Sequence, residues 1–106
     1  MTMIVLDKDN FEVEVLQAEG LILVDYWNEG CEPCKALLPL VEALENDYQE
    51  VKFCKLNTSS ARRLAISQRV MGLPNISLYK DGKKIDEVTK ENASKESVEE
   101  MIKRHL

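Results

Sequence analysis

Short apolar runs alternate along the chain with stretches in which apolar residues recur every three or four positions, the pattern of an α/β chain. Met3 to Leu6 is an apolar run suited to a strand. Asp7, Asp9 and Asn10 offer caps for a short helix in which Phe11, Val15 and Leu16 share a face, until Gly20 stops it. Leu21 to Trp27 (LILVDYW) is apolar on both alternating faces except at Asp25, as in a strand buried between two layers. This predicts a central strand. After the turn Asn28-Glu29-Gly30, Leu37, Val41, Leu44 and Tyr48 fall on one face of a helix running from Cys34 to about Tyr48, with Pro39 inside it expected to bend it.

Val51 to Asn57 (VKFCKLN) reads as another strand, and Ser59 or Ser60 can cap a helix to about Gln68 with Leu64 and Ala65 inward. Gly72 and Pro74 break the chain before a strand from Ile76 to Lys80, which Asp81-Gly82 joins as a hairpin to Lys84 to Thr89. Ser94 or Ser97 starts a terminal helix with Val98, Met101 and Ile102 on its apolar face, while Glu96, Glu99, Glu100, Lys103 and Arg104 form a solvated one. The order β-α-β-α-β-α-β-β-α predicts an α/β fold: a mixed central sheet with helices on both faces, parallel crossovers first and one antiparallel hairpin near the end. No linker or repeat interrupts it, so residues 1–106 are expected to form a single domain.

A chain of 106 residues can remove roughly 65% of its unfolded surface from water, enough for a core without staples. Its 44% hydrophobic and 31% charged residues exclude disorder and collagen-like folds. With 14 basic against 19 acidic residues the net charge is −5, and Arg62-Arg63, Lys83-Lys84 and Lys103-Arg104 are the only adjacent basic pairs. Nucleic acid is therefore not an expected partner. Neither Leu21–Val24 nor the Pro-interrupted run from Ala36 to Val41 approaches the ~20 residues that span a bilayer. The first residues, MTMIVLDKDN, lack the basic region and apolar length of a secretory signal, so a cytoplasmic location is expected, with no membrane contact.

Cytosolic thiols are kept reduced, so a cysteine pair there is more often catalytic or metal-binding than structural. Cys31 and Cys34 form C-x-x-C where a buried strand gives way to a helix, which places Cys31 at a helix N-terminus. Unpaired backbone N–H groups and the helix dipole stabilise a thiolate there, the state needed to attack a disulfide. Cys31 is thus the candidate nucleophile, and Cys34, one turn further on, the candidate resolving thiol. The alternative is half of a zinc or iron–sulfur site. Completing it within one chain needs two more soft ligands, and only Cys54 and the distant His105 exist, although a cluster bridging two chains stays open. Cys54 alternates with Phe53 on a covered strand and reads as a small buried hydrophobe.

ILVDYWNEGCEPCK, followed by Lys55-Leu56-Asn57 and by Gly72-Leu73-Pro74 before the hairpin, resembles the thioredoxin family over essentially the whole chain. The resemblance implies a thioredoxin fold and a thiol–disulfide oxidoreductase that needs no cofactor or metal beyond its own Cys31–Cys34 disulfide. It implies that Cys31 attacks, Cys34 resolves, and Asp25 beneath them moves the Cys34 proton, with Lys55 paired to Asp25. An acid in a strand that otherwise buries Ile22, Val24 and Tyr26 should have a raised pKa, which suits it to take a proton near neutrality. Trp27 matches an indole beside the active-site loop, Pro74 a cis-proline whose neighbour Leu73 offers backbone hydrogen bonds to substrate, and Pro39 a helix kink.

The chain departs from the family at Gly30-Cys31-Glu32-Pro33-Cys34, where Trp-Cys-Gly-Pro-Cys is usual, and at Asn92, where a groove glycine is common. Gly30, Glu32 and Pro33 therefore join Trp27, Leu73 and Pro74 as expected substrate-contact positions. The expected partners are a flavin-dependent thioredoxin reductase and disulfide-containing acceptor proteins, with the chain a monomer. The variant loop and LNTSSARRLAISQ are similar to thioredoxins of amino-acid-fermenting anaerobes, which implies a glycine-reductase-type complex among the acceptors. Glu32, a like charge near Cys31, is expected to make the Cys31 thiolate less favoured.

Overall fold

The computed structural model describes residues 3–106. Five strands, β1 (Ile4–Leu6), β2 (Leu21–Trp27), β3 (Val51–Asn57), β4 (Asn75–Lys80) and β5 (Lys83–Thr89), form one sheet in the order β1-β3-β2-β4-β5. Three α-helices cover it: α1 (Glu32–Leu44), α2 (Arg62–Ser67) and α3 (Lys95–Arg104). A short wide turn of helix, Glu12–Leu16, is closed by the Gln17 N–H donating to the Glu12 carbonyl at 2.8 Å.

β2 is central, as its two-sided apolar pattern predicts, with Ile22 to Tyr26 all buried. Its residues alternate between two cores. Leu23 joins Phe53, Leu37, Val41 and Met101 under α1 and α3, while Ile22, Val24 and Tyr26 join Phe11, Val15 and Ala65 on the opposite face. By the same alternation Asp25 shares the α1 face with Leu23.

β1 and β2 run parallel to β3, and β5 is antiparallel to β4. The sheet differs from the expected pattern in a second antiparallel pairing, β2 with β4, registered from Leu21↔Lys80 to Tyr26↔Asn75. Asn57 at the end of β3 pairs with Trp27, and Asn75 at the start of β4 pairs with Tyr26, so the segment between them returns the chain to the same end of the sheet. β4 therefore starts at the end where β3 stops.

Element ends also differ. α1 begins at Glu32 rather than Cys34 and stops at Leu44, yet Tyr48 remains buried and donates its hydroxyl to Glu99 Oε2 at 2.5 Å. Glu99 is accordingly no simple solvated charge. Neither Ser59 nor Ser60 caps α2. Instead Asn57 accepts from the Ser59 N–H at 3.0 Å and starts a single 3₁₀ turn, Thr58–Ser60, that precedes it. At α3 both predicted serines act, Ser94 accepting from the Ser97 N–H and Ser97 from the Ser94 N–H in a reciprocal cap.

Candidate active site

The sheet delivers Asp25 and Trp27 to the end of β2, and Asn28 to Gly30 turn the chain into α1. Cys31 is the residue that caps α1. Its Sγ accepts the Cys34 N–H at 3.2 Å, and its carbonyl accepts the Lys35 N–H at 3.1 Å. Pro33 in the first turn has no N–H to leave unpaired, so the helix starts there without loss. Cys31 and Cys34 are joined as a disulfide with Cα atoms 5.2 Å apart. Their surroundings differ: Cys31 is half-buried and Cys34 is 1% exposed. An incoming sulfur can therefore reach Cys31 and not Cys34, and in the dithiol state the same Cys34 N–H and the positive end of α1 favour a thiolate at Cys31.

Asp25 is 1% exposed, and its Oδ2 has no hydrogen-bond partner among the described residues. Burial pushes its carboxyl up from 3.8 to about 8, the positive charge of Lys55 pulling it back only in part. Lys55 stands directly opposite Asp25 in the β2–β3 register and is half-buried on the same face. The two do not form the expected ion pair, since none of the ion pairs among the described residues joins them. Contact would require a long, hydrated ammonium to give up its water inside the sheet–helix layer, and Lys55 acts through space instead.

Leu73–Pro74 is a cis peptide bond, with Pro74 buried and Leu73 half-buried beside it. Trp27 is half-buried, and its carbonyl accepts the Thr58 hydroxyl at 3.4 Å, tying the end of β2 to the turn after β3. Gly30, Glu32 and Pro33 are exposed. Glu32 is held by Lys35, Nζ to Oε2 at 3.3 Å, a partner the sequence reading did not assign to it. Asn92 lies exposed in the turn before α3, accepting the Ser97 hydroxyl through its carbonyl. Cys54 is fully buried, and burial pushes its thiol up to about 12, so it stays protonated and unreactive near neutrality. The described residues gather no group of three or more His, Cys, Asp or Glu side chains able to hold a metal ion, and none of their helices is long and apolar enough to cross a membrane.

Sequence reasoning missed a pocket beside the cis-proline loop, walled by Asn28, Thr58, Arg62, Ile66, Met71 and Leu73. Its signal was available: Ile66 is an aliphatic side chain one helical turn from Arg62, on the same face of α2.

A cysteine pair joined as a disulfide at the N-terminus of a helix, on the sheet face that also buries Asp25, makes this chain a thiol–disulfide oxidoreductase. Residues 2–104 match the Thioredoxin family. The chain is 58% identical over 102 residues to a thioredoxin of Acetoanaerobium sticklandii, covering 95% of this chain and 97% of that one. It is equally 58% identical over 102 residues to a thioredoxin of Peptoclostridium acidaminophilum, covering 95% and 93%, and 43% identical over 74 residues to one of Pseudomonas aeruginosa, covering 69% and 68%. The chain belongs to the thioredoxin family and has its fold.

Proposed function

We propose that residues 1–106 act as one domain, a monomeric cytoplasmic electron carrier that a flavin-dependent thioredoxin reductase recharges and that reduces disulfides of acceptor proteins. The Cys31 thiolate attacks one acceptor sulfur, forming a mixed disulfide and releasing the other sulfur as a thiolate that takes a proton from water. Cys34 then gives its proton to the minor fraction of Asp25 that is ionised near neutrality, which grows as the pH approaches 8, and attacks Cys31 Sγ. The Cys31–Cys34 disulfide forms and the second acceptor sulfur leaves as a thiolate, so two electrons have passed to the acceptor. Lys55 tunes Asp25 across the strand pair.

The observation that carries this reading is the unequal exposure of two cysteines that share one helix start, Cys31 half-buried and Cys34 enclosed. Leu73 and Pro74, with Trp27, Gly30, Glu32 and Pro33, form the rim on which an extended acceptor segment would lie. Reduction of insulin in the presence of dithiothreitol tests the activity: the protein should precipitate the insulin B chain, and Cys31→Ser should abolish this. Similarity to the two anaerobe thioredoxins supports a glycine-reductase-type complex as one acceptor. A Cys34→Ser variant, which cannot resolve the mixed disulfide, should trap that complex from cells that contain it.

A further inference from the structure

All 19 acidic residues lie outside residues 51–80, a stretch that holds Lys52, Lys55, Arg62, Arg63, Arg69 and Lys80. In the fold Lys52 is paired with Glu14, while Arg62, Arg63 and Arg69 make α2 and its C-terminal end a basic sector with no ion pair among the described residues. That sector reaches the active-site end. The Thr58–Ser60 turn, α2 and the Met71–Leu73 loop line a pocket of about 180 Å³, completed by Asn28 from the end of β2. A cavity of roughly 150 Å³ holds a benzene molecule, so this one takes a single large apolar side chain. Ile66 and Met71 stand at its walls 61% and 84% exposed, so apolar side chains there are open to a partner.

Two cations border this loop. Arg62 lines the pocket and forms no ion pair among the described residues, in contrast to Glu32 and Lys35 of α1, which pair with each other. Lys90 adopts a φ of 55°, and its N–H donates to the Pro74 carbonyl at 2.8 Å. Its stem lies on Gly72, where an added Cβ would collide with Lys90 Cε. The exposed Lys90 ammonium is thus held beside the same loop.

We propose that this face docks the acceptor through a segment, next to its disulfide, in which acidic residues surround one large apolar side chain. The apolar side chain fills the pocket while its acidic neighbours meet Arg62 and Lys90. The net negative charge of the rest of the molecule disfavours such a segment elsewhere, which biases the encounter toward Cys31. The proposal rests on the disulfide-reductase reading above and adds to it the charge class of the acceptor.

Synthetic disulfide peptides test it: one with Asp and Glu around a leucine, one with Lys in place of the acids, and one acidic with the leucine replaced by Ser. The reduced protein's rate with each, divided by that peptide's rate with 2-mercaptoethanol, removes intrinsic disulfide reactivity. The acidic leucine peptide should be favoured about tenfold over the lysine peptide at low salt, and much less at high salt. The serine peptide should be slower than its leucine parent. Arg62→Glu should reverse the charge preference, and Lys90→Glu, made separately, should weaken it. Equal rates for the acidic and lysine peptides, or a preference that both variants leave intact, would overturn the docking proposal. Reduction of hydroxyethyl disulfide, small and neutral, separates the two readings. Its failure would defeat the reductase reading, whereas its success without charge discrimination among the peptides would defeat the docking proposal alone.

Discussion

Cys31, Cys34 and Cys54 are one chemical group in three settings, and the settings predict their reactivity. Limiting iodoacetamide added to the reduced protein at neutral pH should label Cys31 alone, because Cys34 and Cys54 are enclosed and burial holds Cys54 up to about 12. Peptide mapping checks this, and an adduct on Cys34 or Cys54 would remove Cys31 as the nucleophile. Glu32 was expected to disfavour the Cys31 thiolate, but its carboxylate is 3.3 Å from the Lys35 ammonium, so the pair presents little net charge to Cys31. Removing Glu32 alone would leave the Lys35 ammonium unpaired and should lower the Cys31 pKa. Lys35→Gln should unmask the carboxylate and raise the Cys31 pKa by about half a unit, the scale of a like charge several ångströms away in a largely solvated setting. A less stable thiolate destabilises the dithiol, so the potential should become more negative. Thiolate absorbance near 240 nm and equilibration with a glutathione buffer measure the two effects; a lowered pKa would mean that Lys35 does not screen Glu32.

Among the elements, the β4–β5 hairpin is the one most dependent on a single residue. Asp81 and Gly82 have φ of 50° and 85°, so both central residues of the turn are left-handed, the geometry that matches strand twist. An added Cβ at Gly82 would also strike the Leu16 carbonyl in the turn before β2. Gly82→Ala should therefore cost about 1–2 kcal/mol or more, lowering Tm by roughly 5–10 °C in a thermal melt followed by circular dichroism. An unchanged Tm would mean that the hairpin and the Glu12–Leu16 turn can move apart freely. α3 is fastened differently. Its reciprocal serine cap holds one end, and Arg104 and His105 both reach Asp86 of β5 at 3.0 Å at the other.

For the whole molecule, the buried acid proposed to take the Cys34 proton opposes folding. The folded protein keeps the Asp25 carboxyl protonated up to about pH 8, whereas the unfolded chain ionises it near 3.8. Between those values the folded state binds more protons, so this group's contribution to stability falls as pH rises, and the loss is complete above about pH 8. Asp25→Asn should abolish that dependence. In the oxidised protein the variant's advantage over the parent should be on the order of 3 kcal/mol larger at pH 8 than at pH 5, by denaturant titration at each pH. The same variant should release mixed disulfides more slowly at neutral pH. Stability that falls equally with pH in variant and parent would show that Asp25 is not the titrating group.

The elements and the chemistry of the site were legible because they are local. Periodicity over Leu37, Val41 and Leu44, the two-sided apolar run from Leu21 to Trp27, the Asp81-Gly82 turn and the C-x-x-C pair at a strand-to-helix step each need only neighbouring residues to act. The buried position of Asp25 followed from the same run, since a strand covered on both faces leaves no exposed side for its acid. What depends on residues distant in sequence was decided by the tertiary structure. β4 runs against β2 because the segment between Asn57 and Asn75 folds back to the end of the sheet where β3 stops. Tyr48 finds Glu99, and Tyr26 finds Tyr79 at 2.7 Å, because the folded layers leave each buried hydroxyl a polar neighbour that no sequence period encodes. Lys55 remains a through-space influence on Asp25, and Arg62, Met71 and Lys90 meet around one loop, because sheet register and turn geometry set those distances.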